Sequence, residues 1–158
     1  MFRPFLTLIF AFAAACGGLP ALAQTTDDAV RVTVTMNPDG SKTVYQTDGA
    51  NRRSTAITTG ANGKTQGKII YRLDGNGRYE SGEVFAASGT LRFKTRYRSD
   101  AAGHLLEETQ LAKDDSVQNR IVYSYDASGH SSGYAIYDGD GRLLGRTTAK
   151  KPAAPGQR

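Results

Sequence analysis

Leu91-Arg92-Phe93-Lys94-Thr95-Arg96-Tyr97-Arg98-Ser99 runs straight into Asp100-Ala101-Ala102-Gly103-His104. These residues spell out one strand and one turn. Leu91, Phe93, Thr95 and Tyr97 alternate with Arg92, Lys94, Arg96 and Arg98, the period-two pattern of a half-buried strand. In the second phrase, Asp accepts backbone hydrogen bonds from residues just after it. Gly supplies the positive φ that a tight hairpin needs.

The turn phrase returns along the chain as Asp74-Gly75-Asn76-Gly77-Arg78, Asp126-Ala127-Ser128-Gly129-His130 and Asp138-Gly139-Asp140-Gly141-Arg142. Looser copies are Ala61-Asn62-Gly63-Lys64 and Ala87-Ser88-Gly89-Thr90. Glycines therefore stand at 63, 77, 89, 103, 129 and 141. The long gap from 103 to 129 reads as two steps of 13, with Asp114-Asp115-Ser116 where a glycine is missing. Between turns the alternation persists. Val30, Val32, Val34 and Met36 oppose Arg31, Thr33 and Thr35, and Ile121, Tyr123 and Tyr125 oppose Arg120, Val122 and Ser124. Asp39-Gly40 and Asp48-Gly49 are further hairpin candidates. No segment carries a helical period. The pattern predicts an all-β fold, an antiparallel meander of eight to ten strands built from strand-turn units of about 13 residues. Such a meander ends as a curled sheet, a barrel or a sandwich. Residues 50–66, rich in Thr, Gly, Asn and Ala, give the weakest strand pattern and are expected to hold an irregular loop.

Residues 1–23 read as a signal peptide. Arg3 is the positive start, Phe5 to Ala15 the apolar run, and Ala21-Leu22-Ala23 the cleavage motif before Gln24. Cys16 as a lipidated first residue is the less favoured alternative. A β-repeat domain is expected over 24–146 and a disordered basic tail over 147–158. Cys16 is the only cysteine of the 158 residues, so the processed chain has neither a disulfide nor a thiol nucleophile. An exported, periplasmic or secreted location follows, with no transmembrane span after cleavage. The net charge of +5 falls to +4 once Arg3 is removed, which is ordinary for such a domain and implies no nucleic-acid partner. An outer-membrane barrel is disfavoured, because Thr and charge interrupt the apolar faces.

Tyr123-Ser124-Tyr125-Asp126-Ala127-Ser128-Gly129, followed by Tyr137-Asp138-Gly139-Asp140-Gly141-Arg142-Leu143, resembles two consecutive YD repeats of the Rhs type. The resemblance is best over 121–146 and partial at 71–80 and 97–106. A diverged MORN-like repeat is the second resemblance. In Rhs proteins these repeats build β-sheet shells, and carbohydrate binding has been proposed for them. The resemblance implies a repetitive β architecture and carries no catalytic residue across.

The histidines offer little chemistry. His104 and His130 follow the turn glycine where Lys64, Arg78 and Arg142 stand in other repeats, so the position reads as a solvated strand start. Asp74 with Asn76, and Asp138 with Asp140, have the alternating oxygens that open a calcium loop. Asp-Gly turn chemistry explains them without a metal, and no cofactor is expected. The densest cationic cluster is Arg92, Lys94, Arg96 and Arg98. It is suited to a phosphate, a lipid head group or an anionic glycan, although cross-strand pairing with Glu80, Glu83, Glu107 and Glu108 accounts for it without a ligand. Tyr123, Tyr125, Tyr134 and Tyr137 are candidates for a platform that stacks on sugar rings. The expected function is that of a non-enzymatic exported binding or envelope accessory module. Its partner would be a glycan, an anionic envelope component or a protein. A small envelope-polymer hydrolase or lyase is the alternative.

Overall fold

The computed structural model describes residues 30–148. The signal-peptide reading, Cys16 and most of the basic tail lie outside the described residues. Ten strands follow one another: β1 Val30–Met36, β2 Lys42–Asp48, β3 Arg53–Thr59, β4 Thr65–Leu73, β5 Tyr79–Ala86, β6 Leu91–Ser99, β7 Leu105–Leu111, β8 Val117–Tyr125, β9 Ser131–Asp138 and β10 Leu143–Thr148. They form one antiparallel sheet in sequence order. Among the described residues no helix is long and apolar enough to cross a membrane.

Eight of the nine connections are the same turn. In each, the first residue receives a backbone bond from the fourth and donates one to the fifth, as in Asp74 with Gly77 and Arg78. The fourth residue has positive φ, at Gly40, Gly63, Gly77, Gly89, Gly103, Gly129 and Gly141. At the one turn without glycine, Asp115 takes that conformation itself (φ 69°), a position that Asp tolerates better than most side chains. The positive-φ residue thus falls 12 after Gly103 and 14 before Gly129. The gap read as two steps of 13 is a step of 12 and one of 14, so the 14 and 12 of the glycines before it continue through the whole repeat. Turns on one edge, at 63, 89, 115 and 141, repeat every 26 residues, and so do those at 77, 103 and 129 on the other edge. The structural unit is a hairpin of 26 residues rather than a strand of 13.

The stretch expected to be irregular contains β3, paired along its whole length to β2 and β4. Its small side chains serve packing. Ser54 and Ala56 keep only 1 and 2 % of their surface exposed, because larger groups on β2 and β4 close over them. At the far end β10 passes the boundary drawn at 146, since Tyr134 and Gly133 still pair with Thr147 and Thr148.

Of the three architectures left open, the sheet alone is observed. Among the described residues every strand contact joins sequence neighbours, so β1 does not meet β10 and no second layer covers either face. A single layer leaves few side chains buried. Ala56, Tyr71, Leu73, Val84 and Leu111 are the buried apolar residues of the described region. Four of these five belong to one face, whose centre is Tyr71.

A candidate anion-binding face

Strand pairing sorts the side chains into two faces. On the first, Ser54, Tyr71, Gly82 and Thr95 are successive neighbours across β3 to β6. The Tyr71 ring lies over Gly82, where an added Cβ would come within 3.2 Å of it. Tyr79 stacks on Tyr71 at 4.2 Å between ring centres, and Tyr97 packs 6.1–6.2 Å from both. Thr95 donates to the Tyr97 hydroxyl at 3.1 Å. Burial pushes the Tyr71 and Tyr97 hydroxyls far above their ordinary value, and the Tyr123 hydroxyl to about 12. Glu108 belongs to this face too. Loss of solvent raises its pKa, opposed by the hydrogen bond it accepts from Tyr123. Small residues beneath large rings make this the packed face.

On the second face one row crosses the sheet through Asp48, Arg53, Arg72, Ser81, Arg96, Thr109, Arg120 and Tyr137. Arg53 and Arg72 are direct cross-strand partners, and only Ser81 separates Arg72 from Arg96. Among the described residues no carboxylate lies within 4.0 Å of the guanidinium of Arg53, Arg72 or Arg96. Asp48, at the end of the row, is committed to Asn51, which donates from its backbone and its side chain. A groove of about 430 Å³ opens along this row, and Arg52 and Lys94 also line it. Its five cations face two carboxylates, Glu83 and Asp115, and Asp115 is already bound to Lys94 at 2.8 Å. Like charges on opposed strands destabilise a sheet. An exposed row of them is therefore a feature that an anion would relieve.

The β6 cluster read from the sequence lies on this face, but its members fare differently. Arg98 reaches Glu107 at 3.2 Å, as cross-strand pairing predicts. Lys94 goes to the turn residue Asp115 instead of a strand glutamate. Glu108 is on the opposite face. Arg96 and Arg92 have no ion-pair partner among the described residues. The four candidate tyrosines do not form one platform. Tyr123 and Tyr134 meet on the packed face with centroids 6.3 Å apart. Tyr137 is on the arginine face under Arg120, 5.1 Å away. Tyr125 donates its hydroxyl to Leu105 O and packs on His104. Arg53 and Arg72 were not among the residues singled out from the sequence. They are 19 positions apart, and only the β3–β4 register makes them neighbours. One signal existed: Arg72 and Arg98 both stand two residues before a turn aspartate.

The turns hold their polar groups internally. Asp74 accepts from the backbones of Asn76 and Arg78 through Oδ1 and from Arg78 Nε through Oδ2. Asp138 does the same with Asp140 and Arg142. Both carboxylate oxygens of Asp74 and of Asp138 are thus engaged in turn geometry. His104 Nδ1 lies 2.8 Å from Asp100 Oδ2, and this contact holds the Asp100 carboxyl below its usual range. His130 is largely exposed. Among the described residues no three His, Cys, Asp or Glu side chains gather as a metal site. Compared with known protein families and with curated proteins, the chain matches none.

Proposed function

We propose that this chain is an exported, non-enzymatic β-repeat binding module of the cell envelope, and that its arginine face takes an anionic envelope component. The observation that carries this reading is Arg53 set directly against Arg72, with Arg96 next in the row and no carboxylate on any of the three among the described residues. Guanidinium groups are weakly hydrated planar forks that match phosphate and carboxylate oxygens. Arg53 directly opposes Arg72 and a step of two strands, about 10 Å, separates Arg72 from Arg96, so a ligand with several charges engages several forks at once. The repeat phrase that resembles Rhs-type YD repeats supports a repetitive β scaffold on an exported protein, and residues 1–23 supply the export reading.

The test is calorimetric titration of the chain with an anionic polymer, such as polyphosphate, at low and moderate salt. Binding that weakens as salt rises is expected. Arg72→Glu with Arg96→Glu should reduce affinity by roughly tenfold or more. Unchanged affinity in that double variant overturns the reading.

A further inference from the structure

The arginine row has an apolar margin on the same face. Val34, Val44 and Ile57 are successive cross-strand neighbours on β1, β2 and β3. Val30, Val32 and Met36 extend the margin along β1. These side chains are not covered: Val30, Val32, Val34 and Met36 keep 47, 60, 57 and 68 % of their surface, and Ile57 keeps 40 %. Four large apolar side chains in register on an outermost strand form a surface that proteins usually hide or break with charge. Here the charge stands beside the margin instead. Two residues separate neighbouring rows along a strand, about 7 Å, so the valine rows lie roughly 7 to 13 Å from the line of Arg53 and Arg72.

A hydrophilic polyanion satisfies the arginines and leaves the valines wet. A second copy of this chain packed face to face covers the valines and brings two sets of Arg53, Arg72 and Arg96 together without supplying them a carboxylate. A phosphate-headed amphiphile satisfies both: anionic head groups on the arginines, hydrocarbon against β1. Resting on the anion-binding reading above, we infer that this face docks on an anionic lipid surface, with the β1 margin entering the head-group boundary and the arginine row gripping lipid phosphates. Binding then needs both terms, as peripheral membrane attachment generally does.

The test is flotation of the processed chain, beginning at Gln24, with vesicles of phosphatidylcholine alone and of phosphatidylcholine mixed with phosphatidylglycerol. Without the apolar run from Phe5 to Ala15, flotation reads the folded face rather than the signal segment. The parent should float only with the mixed vesicles. Arg72→Glu with Arg96→Glu should reduce partitioning by roughly tenfold or more. Val32→Thr with Val34→Thr preserves shape and strand preference and should reduce it by roughly tenfold. Met36→Gln is a second probe of the margin should the valine pair disturb β1 in circular dichroism. The inference falls if zwitterionic and mixed vesicles bind equally, or if the margin variants float like the parent. It falls also if light scattering finds a dimer that the valine substitutions dissociate, because a second copy then covers the margin. Polyphosphate binding without flotation overturns the lipid surface and leaves the anion reading intact. Absence of both overturns both.

Discussion

Tyr71 and Arg72 are adjacent in β4, yet Tyr71 keeps 7 % of its surface while Arg72 stands exposed. The same contrast recurs in β6 between Thr95 and Arg96. One face of the single-layer sheet is closed by rings laid over Ser54 and Gly82. The other is open, and on it Arg53, Arg72 and Arg96 have no carboxylate partner among the described residues. A sheet with no second layer must find its cohesion on one side, and the tyrosine face supplies it. The arginine face is then free of the packing constraint and can carry charge that costs stability. Substitutions at neighbouring positions test this division directly.

The largest effect should come from Tyr71→Ala. It removes the ring that stacks on Tyr79 and covers Gly82, and should cost about 3–5 kcal/mol, the usual range for truncating a buried aromatic. Arg72→Ala, one residue away, should change stability by less than about 0.5 kcal/mol. Thermal melts of both give the comparison, and similar losses would show that the two faces share the load. Thr95→Val comes next. The Thr95 hydroxyl donates to Tyr97 and approaches Gly82 O at 3.4 Å, so its loss should cost about 1 kcal/mol, with Arg96→Ala as the silent neighbour.

Glu108 sharpens the comparison through pH. Among the described residues it is the one acid whose folded pKa is raised, by desolvation. A raised carboxyl pKa means the folded state holds its proton more tightly. The stability this contributes is full below the ordinary glutamate range and is lost as pH rises through the folded value. Glu108→Gln should therefore raise the melting temperature at pH 7, do little at pH 4, and flatten the slope between. Asp39, Asp74, Asp100 and Asp114 in the turns, with Asp48 at the end of β2, have the opposite sign. Their folded pKa values are lowered by hydrogen bonds, so their contribution is lost as pH falls below the ordinary aspartate range. A parent whose stability does not decline from pH 5 to pH 7 would contradict the role given to Glu108.

The turns were legible because each is local. Asp or Asn, Gly and the residue after it carry the geometry within five positions, and Asp115 was marked by the missing glycine. Alternation within β1, β6 and β8 likewise sorted their faces. What the sequence left open depended on pairs far apart. β3 looked weak because Ser54 and Ala56 are small, and they are small because of side chains on β2 and β4 that no local window contains. The 12–14 alternation showed in Gly63, Gly77, Gly89 and Gly103, and was lost only across the gap to Gly129, where Asp115 takes the positive φ with no glycine to mark its exact place. The β6 cations were visible as a cluster. Their meaning changed once the register put Arg53 against Arg72, aligned Arg96 with both, and moved Glu108 to the other side.

The smallest expected effect is the most direct test of the open face. Arg53→Gln removes one of two like charges that the β3–β4 register sets opposite each other. If the pair is destabilising in the free protein, the variant should be more stable by roughly 0.2–1 kcal/mol at low salt. The gain should shrink as salt screens the repulsion in the parent. The same substitution should weaken anion binding. A residue whose loss strengthens the fold while weakening ligand binding is held in place by the ligand rather than by the fold. Melts at two salt concentrations, paired with titration of polyphosphate, read both quantities. A loss of stability on removing Arg53 would mean that its charge is satisfied within the protein, and the arginine row would then belong to the scaffold as the tyrosines do.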